Sequence, residues 1–171
     1  MDFFELTGRR HSVRAFKNVP VEQDKISRML EAVNSAPSAG DLQAYQVYLV
    51  RSRDKRLALA RAALDQFFIS EAPLALVFCA APSRSAIKYG QRGRQLYAIQ
   101  DATIACAYAQ LAAVALGLGS VWVGAFSEEG VRRTIGASGD EIPIAILPVG
   151  YPAEAPEVTP RRRLADLVRE V

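Results

Sequence analysis

The chain has 171 residues, 50% of them hydrophobic and 23% charged, with two cysteines. One domain of ordinary size accounts for that length, and the apolar content supplies a full core, which excludes a disordered chain or a disulfide scaffold. The 21 Lys and Arg against 18 Asp and Glu give a formal charge of +3, a mild excess rather than a nucleic-acid-binding composition.

Phe3 to Thr7 reads as a short amphipathic turn, and Arg9 to Phe16 alternates before breaking ahead of Pro20. Val21 to Ala36 is predicted helical: Ile26, Leu30 and Val33 recur at helical spacing, Glu22 and Asp24 sit in the first turn, and Pro37 ends it. The loop P-S-A-G-D follows, then a strand over Gln46 to Val50 and an Arg- and Ala-rich helix over Lys55 to Ala63. Leu74 to Cys79, bounded by Pro73 and Pro82, has the profile of a buried strand.

Leu96 to Leu116 is helical in composition, apolar on nearly every face and closed by Gly117. Its about 21 residues would extend roughly 32 Å, enough for a bilayer. Gln100, Asp101 and Gln110 interrupt it and alanine dominates the rest, so no membrane span is expected. A helix buried on all sides needs partners all round, so a second copy of the chain is expected to help cover it. Beyond it, Ser120 to Val123 reads as a strand, Glu128 to Ile135 as a helix, Ile144 to Val149 as a second buried strand and Leu164 to Val168 as a closing helix. Pro148 inside a strand marks an edge or an irregularity. Strands separated by helices without strict alternation predict an α+β fold with helices packed around a modest sheet.

Cys79 and Cys106 lie far apart in apolar sequence without ligand-like spacing, so buried free thiols are expected and no metal site is. His11 is the only histidine, and GxxxxGK[ST], HExxH and GxSxG are all missing. G-L-G-S-V-W at Gly117 to Trp122 begins like a dinucleotide fingerprint, but it follows a helix and has Trp where the third glycine belongs. No acid–base set stands out, which points to a bound cofactor as the carrier of any reaction. Two arginine clusters, Arg9, Arg10 and Arg14 near the start and Arg161, Arg162 and Arg163 near the end, are either solvated charge or forked donors converging on a phosphate.

Five segments occur in order: R-H-S-V-R-A-F at Arg10 to Phe16, A-P-S-A-G-D-L-Q at Ala36 to Gln43, R-G-R-Q-L-Y-A-I-Q-D-A at Arg92 to Ala102, G-L-G-S-V-W-V-G-A-F at Gly117 to Phe126, and L-P-V-G-Y-P at Leu147 to Pro152. Together they resemble the FMN-dependent nitroreductase family, as a compact member, over nearly the whole chain. The resemblance implies one nitroreductase-like FMN-binding domain over residues 1–171, with a central mixed or antiparallel sheet flanked by helices. It also implies a homodimer with FMN at the interface and the long apolar helix in that contact. By the same resemblance Arg10, Arg161 and Arg163 match phosphate-binding positions, His11 and Ser12 contact the ribityl chain and ring edge, and Arg14 lies near flavin N1 and the C2 carbonyl. Pro37, Ser38, Ala39 and Asp41 match the loop supplied by the other subunit. Gly124 and Ala125 match the segment whose backbone faces flavin N5, and Trp122 and Val123 are either part of that site or core strand residues. Phe67, Phe68 and Tyr89 are candidates for lining the substrate pocket.

Two departures concern the substrate side: Asp41 stands where the family usually has Asn, and Ala44-Tyr45 where it commonly has Pro-Trp. The activity implied is ping-pong hydride transfer from NAD(P)H through flavin N5 to a nitroaromatic, quinone or similar electron-poor acceptor, with no side chain assigned a catalytic role. The alternatives are a specialised flavin enzyme of the same family, such as a dehydrogenase, dehalogenase or flavin-modifying enzyme, and a non-catalytic flavin- or polyanion-binding module. The N-terminus lacks a signal-peptide core, so a cytoplasmic protein without nucleic-acid or membrane partners is expected.

Overall fold

The computed structural model describes residues 1–156 and 158–171. Strands β1 (Tyr45–Val50), β2 (Leu74–Ala80), β3 (Gly119–Ser120) and β4 (Ile142–Gly150) form one sheet in the order β1-β2-β4-β3. All pairings are antiparallel, with Tyr45 opposite Ala80, Leu76 opposite Leu147 and Gly119 opposite Gly150. The helices are α1 (Phe3–Arg9), α2 (Gln23–Asn34), α3 (Arg53–Ala62), α4 (Phe68–Glu71), α5 (Pro82–Arg92), α6 (Ala98–Ala115), α7 (Glu128–Ile135) and α8 (Leu164–Leu167). The expected α+β class is the one observed, and its sheet is antiparallel throughout.

Side chains alternate across a strand, and β2 uses both faces. Leu74, Leu76 and Phe78 pack with Ile26, Met29 and Val33 of α2 and with Ala105, Cys106 and Ala109 of α6. Ala75, Val77 and Cys79 face the opposite layer, formed by Leu59 of α3, Ile69 of α4 and Val131 of α7. A strand covered on both faces has no polar side, which is why Leu74 to Cys79 reads as an unbroken apolar run. The same layering puts Cys79 and Cys106 on opposite faces of the sheet, where both are buried and free. Burial pushes the Cys79 thiol up to about 12, with Glu141 adding to the shift, and it pushes Cys106 up as well.

Helix ends follow local chemistry. The Ser127 hydroxyl accepts the Gly130 N–H at 3.2 Å to start α7, and Gly136 closes it in the left-handed conformation at φ 69°. The strand expected over Ser120 to Val123 contracts to the two residues of β3 and an isolated bridge between Val123 and Ile146. That contraction accommodates Pro148. Ile146 donates its N–H to the Val123 carbonyl at 2.9 Å, and Pro148, two residues further on, turns toward the same edge where the ladder is interrupted.

The long helix starts at Ala98 rather than Leu96, because Gly93–Tyr97 forms a π-turn after α5. Ala98, Ala102, Ala105, Ala109 and Ala113 make its buried stripe, small enough to seat the helix against the sheet, while Ile99, Thr103, Ala107 and Tyr108 are exposed. One chain thus covers the inner half of the helix and leaves open the outer half, for which a second copy is expected. Among the described residues no helix is long and apolar enough to cross a membrane.

The turn between α5 and α6 is close-packed. A Cβ on Gly93 would stand 2.6 Å from the Ser85 carbonyl oxygen and 2.8 Å from Tyr89 Cβ, whereas one on Gly8 meets nothing within 4 Å. Gly93→Ala is expected to cost about 1–3 kcal/mol in urea unfolding, with Gly8→Ala staying within about 1 kcal/mol of wild type. Neither thiol is expected to react with a disulfide reagent at pH 8 in the native protein, and both are expected to react once it is unfolded.

Candidate functional site

The segment after α1 crosses the end of the sheet and is held there by backbone hydrogen bonds. Val13 N–H donates to the Ser120 carbonyl at 3.1 Å, Lys17 N–H to Tyr151 at 2.8 Å, and Ala153 N–H to Ala15 at 2.9 Å. Val13 and Phe16 turn inward and are buried. The crossing needs glycine on the strands beneath. A Cβ on Gly119 would stand 2.8 Å from Val13 Cγ2, and one on Gly150 would stand 3.0 Å from Phe16 Cδ1. Gly119 of the G-L-G run thus makes room for a neighbouring strand segment, which accounts for a dinucleotide-like motif in a place where that fingerprint does not belong.

With Val13 inward, His11 lines a cleft of about 370 Å³ with Arg9 and Gly117 to Gly119, while Ser12 and Arg14 line a second of about 320 Å³ with Thr159. Glu154 and Pro156 border both clefts, with His11 and Val13 lining the first and Ser12 and Arg14 the second. The Glu154 carboxylate accepts the N–H groups of Arg14 at 2.5 Å and Ala15 at 3.1 Å, fixing the backbone beneath Arg14. His11 Nδ1 is buried without a hydrogen-bond partner among the described residues. Arg10 is half-buried and lines neither cleft. The C-terminal arginines are turned elsewhere in this chain: Arg161 donates to the Thr159 and Pro160 carbonyls, and Arg163 forms a two-point ion pair with Asp166 at 2.9 and 3.0 Å.

Pro37, Ser38 and Ala39 line a separate cleft of about 480 Å³ against Gln100, Thr103 and Ile104 of α6. Their loop is held from below by Asp101, only 2% exposed, whose two carboxylate oxygens accept the N–H groups of Ala39 at 2.9 Å and Ala44 at 3.2 Å. Asp41 itself is exposed and in the left-handed region at φ 58°, as is Gln43 at φ 45°. Sequence reading passed over Asp101 as an interruption of an apolar helix. A lone acid on the inner stripe was the available signal.

Trp122 and Val123 belong to the core. Val123 is buried and exchanges both backbone hydrogen bonds with Ile146 at 2.9 Å, and Trp122 packs against the α2–α6 layer. Gly124 and Ala125 are exposed, and neither N–H has an acceptor among the described residues. Their loop is clamped by the end of α3. Ser127 N–H donates to the Ala62 carbonyl at 2.7 Å, and Gln66 Nε2 donates to the carbonyls of Ala63 at 2.9 Å and Ala125 at 3.4 Å. Gln66 was not singled out from sequence. It follows Leu64 and Asp65, which adopt φ 57° and 58°, and no residue type announces such a turn. Among the described residues, non-glycine positive φ occurs only in these two loops, 41–43 and 64–65, the kind of backbone strain that gathers at functional sites.

The sequence profile of the nitroreductase family matches residues 8–151. The chain belongs to the nitroreductase family. A Thermus thermophilus protein named NADH dehydrogenase is 31% identical to it, over 91% of this chain and 88% of the relative. A Bacillus subtilis FMN reductase [NAD(P)H] is also 31% identical, over 91% of this chain and 68% of the relative. The solved structure of the Vibrio harveyi NADPH:FMN oxidoreductase complexed with NAD+ superposes with a TM-score of 0.89 at 28% identity, covering 98% of this chain and 76% of that one. In this family setting, the two clefts offer groups that a phosphorylated flavin needs: the guanidinium groups of Arg9 and Arg14, the Ser12 hydroxyl and the unpartnered His11 Nδ1. The residues present fit FMN.

Replacing Asp101 by Ala removes a charged acceptor from two buried N–H groups, each such bond contributing about 1.5–3 kcal/mol. Hydrogen exchange at the Ala39 and Ala44 amides is expected to speed up by at least about tenfold in Asp101→Ala, with the β2 amides little changed.

Proposed function

We propose that this chain is an FMN-dependent NAD(P)H oxidoreductase acting on electron-poor acceptors such as nitroaromatics and quinones, with residues 1–171 forming one flavin-binding domain that works in the cytoplasm. The observation that carries the site assignment is the crossing of residues 12–16 over Gly119 and Gly150, with Ser12 and Arg14 lining an open cleft beside it. Bound FMN supplies the two-electron chemistry linking NAD(P)H to the acceptor. The protein binds, orients and polarises.

Arg10 and Arg14 supply fixed positive charge for the phosphate and for negative charge accumulating on the ring, a role that requires no proton transfer by a side chain. His11 and Ser12 would hold the ribityl chain and ring edge, and the N–H groups of Gly124 and Ala125 would be available to the ring. Arg161 and Arg163, exposed at the C-terminal end, join the phosphate site in the assembled protein. The functional unit is a homodimer. The open half of α6 adjoins a cleft of about 450 Å³ between Phe3 and Leu6 of α1 and Tyr108 and Leu111 of α6, an apolar surface suited to a second copy. Pro37, Ser38, Ala39 and Asp41, on a loop beside the exposed Gln100 and Thr103, then serve the cofactor of the partner.

The purified protein is expected to show flavin absorption bands, directly or after addition of FMN, that bleach with NADH or NADPH in the absence of oxygen. A protein that takes up no FMN overturns the reading. Arg10→Ala and Arg14→Ala are each expected to weaken FMN binding about 10- to 100-fold, the scale of one charge-assisted hydrogen bond, measured by titration of the apoprotein with FMN.

A further inference from the structure

The hairpin between β2 and α6 carries a group of side chains that the cofactor site does not use. Lys88 Nζ lies 5.4 Å from the centre of the Tyr89 ring, Tyr89 meets Tyr97 edge-to-face at 5.1 Å, and Arg92 lies 5.5 Å over the Tyr97 ring while its Nε donates to the Tyr97 hydroxyl at 2.9 Å. The result is two perpendicular rings with a cation on each. Neither Lys88 nor Arg92 is paired with a carboxylate among the described residues, and both are exposed.

This group sits against the flavin loop. A Cβ on Gly40 would stand 2.5 Å from the Tyr89 hydroxyl and 2.7 Å from Lys88 Nζ, so these two side chains fill the open side of the residue between Ala39 and Asp41. The hairpin is also held in a set shape. Gly90 adopts φ 54°, ψ −137°, which side-chain-bearing residues avoid, the π-turn Gly93–Tyr97 follows it, and Gly93 leaves no room against the Ser85 carbonyl. π-turns of this kind recur at functional sites. Fixed aromatic edges offer contact to a flat ring, and unpaired cations beside them offer attraction to a negative substituent on that ring.

We propose that Lys88, Tyr89, Arg92 and Tyr97 form a specificity ledge that selects aromatic acceptors carrying a negative charge, such as a sulfonate or carboxylate, over neutral acceptors of the same shape. The proposal rests on the flavin-oxidoreductase reading above. It assigns Lys88 and Arg92 to acceptor binding and not to the flavin.

The test uses the FMN-loaded enzyme at saturating NADH with two near-isosteric acceptors, 4-nitrobenzenesulfonate and 4-nitrobenzenesulfonamide. Wild type is expected to favour the sulfonate in kcat/KM by about three- to tenfold at low salt, the size expected of two solvent-exposed charge contacts, through KM, with the preference shrinking in 0.5 M salt by about half or more. Lys88→Ala/Arg92→Ala is expected to bring the ratio to about one and Lys88→Arg/Arg92→Lys to restore most of it, while an equal loss of charge elsewhere, Arg53→Ala/Arg133→Ala, leaves it as in wild type. Equal kcat/KM for the two acceptors in wild type overturns the proposal, as does an unchanged ratio in Lys88→Ala/Arg92→Ala or an effect confined to the KM for NADH. Those outcomes leave the flavin reading standing. Failure to bind FMN or to turn over either acceptor overturns both.

Discussion

The site depends on one steric constraint, the paired glycines at the end of the sheet. Gly119 and Gly150 face each other across β3 and β4, and neither has room for a Cβ, because Val13 and Pro152 crowd the first and Phe16 and Pro73 the second. Two missing side chains let an extended segment cross the sheet edge at van der Waals distance. Its backbone hydrogen bonds to Ser120 and Tyr151 then set the register, and register decides which side chains turn inward. A slip of one residue would put Ser12 or Arg14 in the buried place of Val13. The chemistry of the two clefts is thus a consequence of packing at a place where no functional side chain resides.

Rigidity and strain are distributed unevenly around that frame. Apart from Gly90 in α5, positive φ falls outside the α-helices and strands, and among the described residues the four non-glycine cases lie in the loops 41–43 and 64–65. Each strained loop is tied to a rigid element by side-chain bonds to backbone: Asp101 on α6 holds Ala39 and Ala44, and Gln66 joins Ala63 to Ala125. Such conformations persist only where the surroundings over-determine them. The ties explain how a chain of 171 residues keeps two irregular loops in place without additional secondary structure to cover them.

The elements legible in the sequence are those whose environment is uniform along their length. β2 has two apolar faces and reads as a strand; α2 and α7 each have one apolar stripe and recognisable ends, and both lie where periodicity puts them. α4 and α5 were missed because a single turn at Phe68–Glu71 has no period to detect, and because Gly90 and Gly93 look like loop residues in a hairpin that in fact depends on them. The alanine-rich composition of α6 does not tell which of its faces lies on the sheet, since alanine does not distinguish a face packed on a sheet from one left open. At the candidate site, His11, Ser12 and Arg14 stand out by resemblance and line two clefts, whereas Glu154, Asp101 and Gln66 act through backbone groups, and bonds to backbone leave no pattern of residue types.

Two of these residues, Glu154 and Asp101, also bear on the electrostatics. A carboxylate close to a phosphate site ordinarily works against it, either by pairing with the arginines or by repelling the anion. Glu154 forms no ion pair with the guanidinium of Arg14 among the described residues; one of its oxygens accepts the N–H groups of Arg14 and Ala15 instead. Asp101 is likewise engaged by two N–H groups and buried behind the loop it holds. Backbone donors carry partial positive charge and satisfy these acids locally, so the structure gains two firm anchors while Arg10 and Arg14 keep no carboxylate partner among the described residues. Acids anchored to backbone, and arginines left unpaired beside them, make a compact site that is held together by negative charge and still presents positive charge to its ligand.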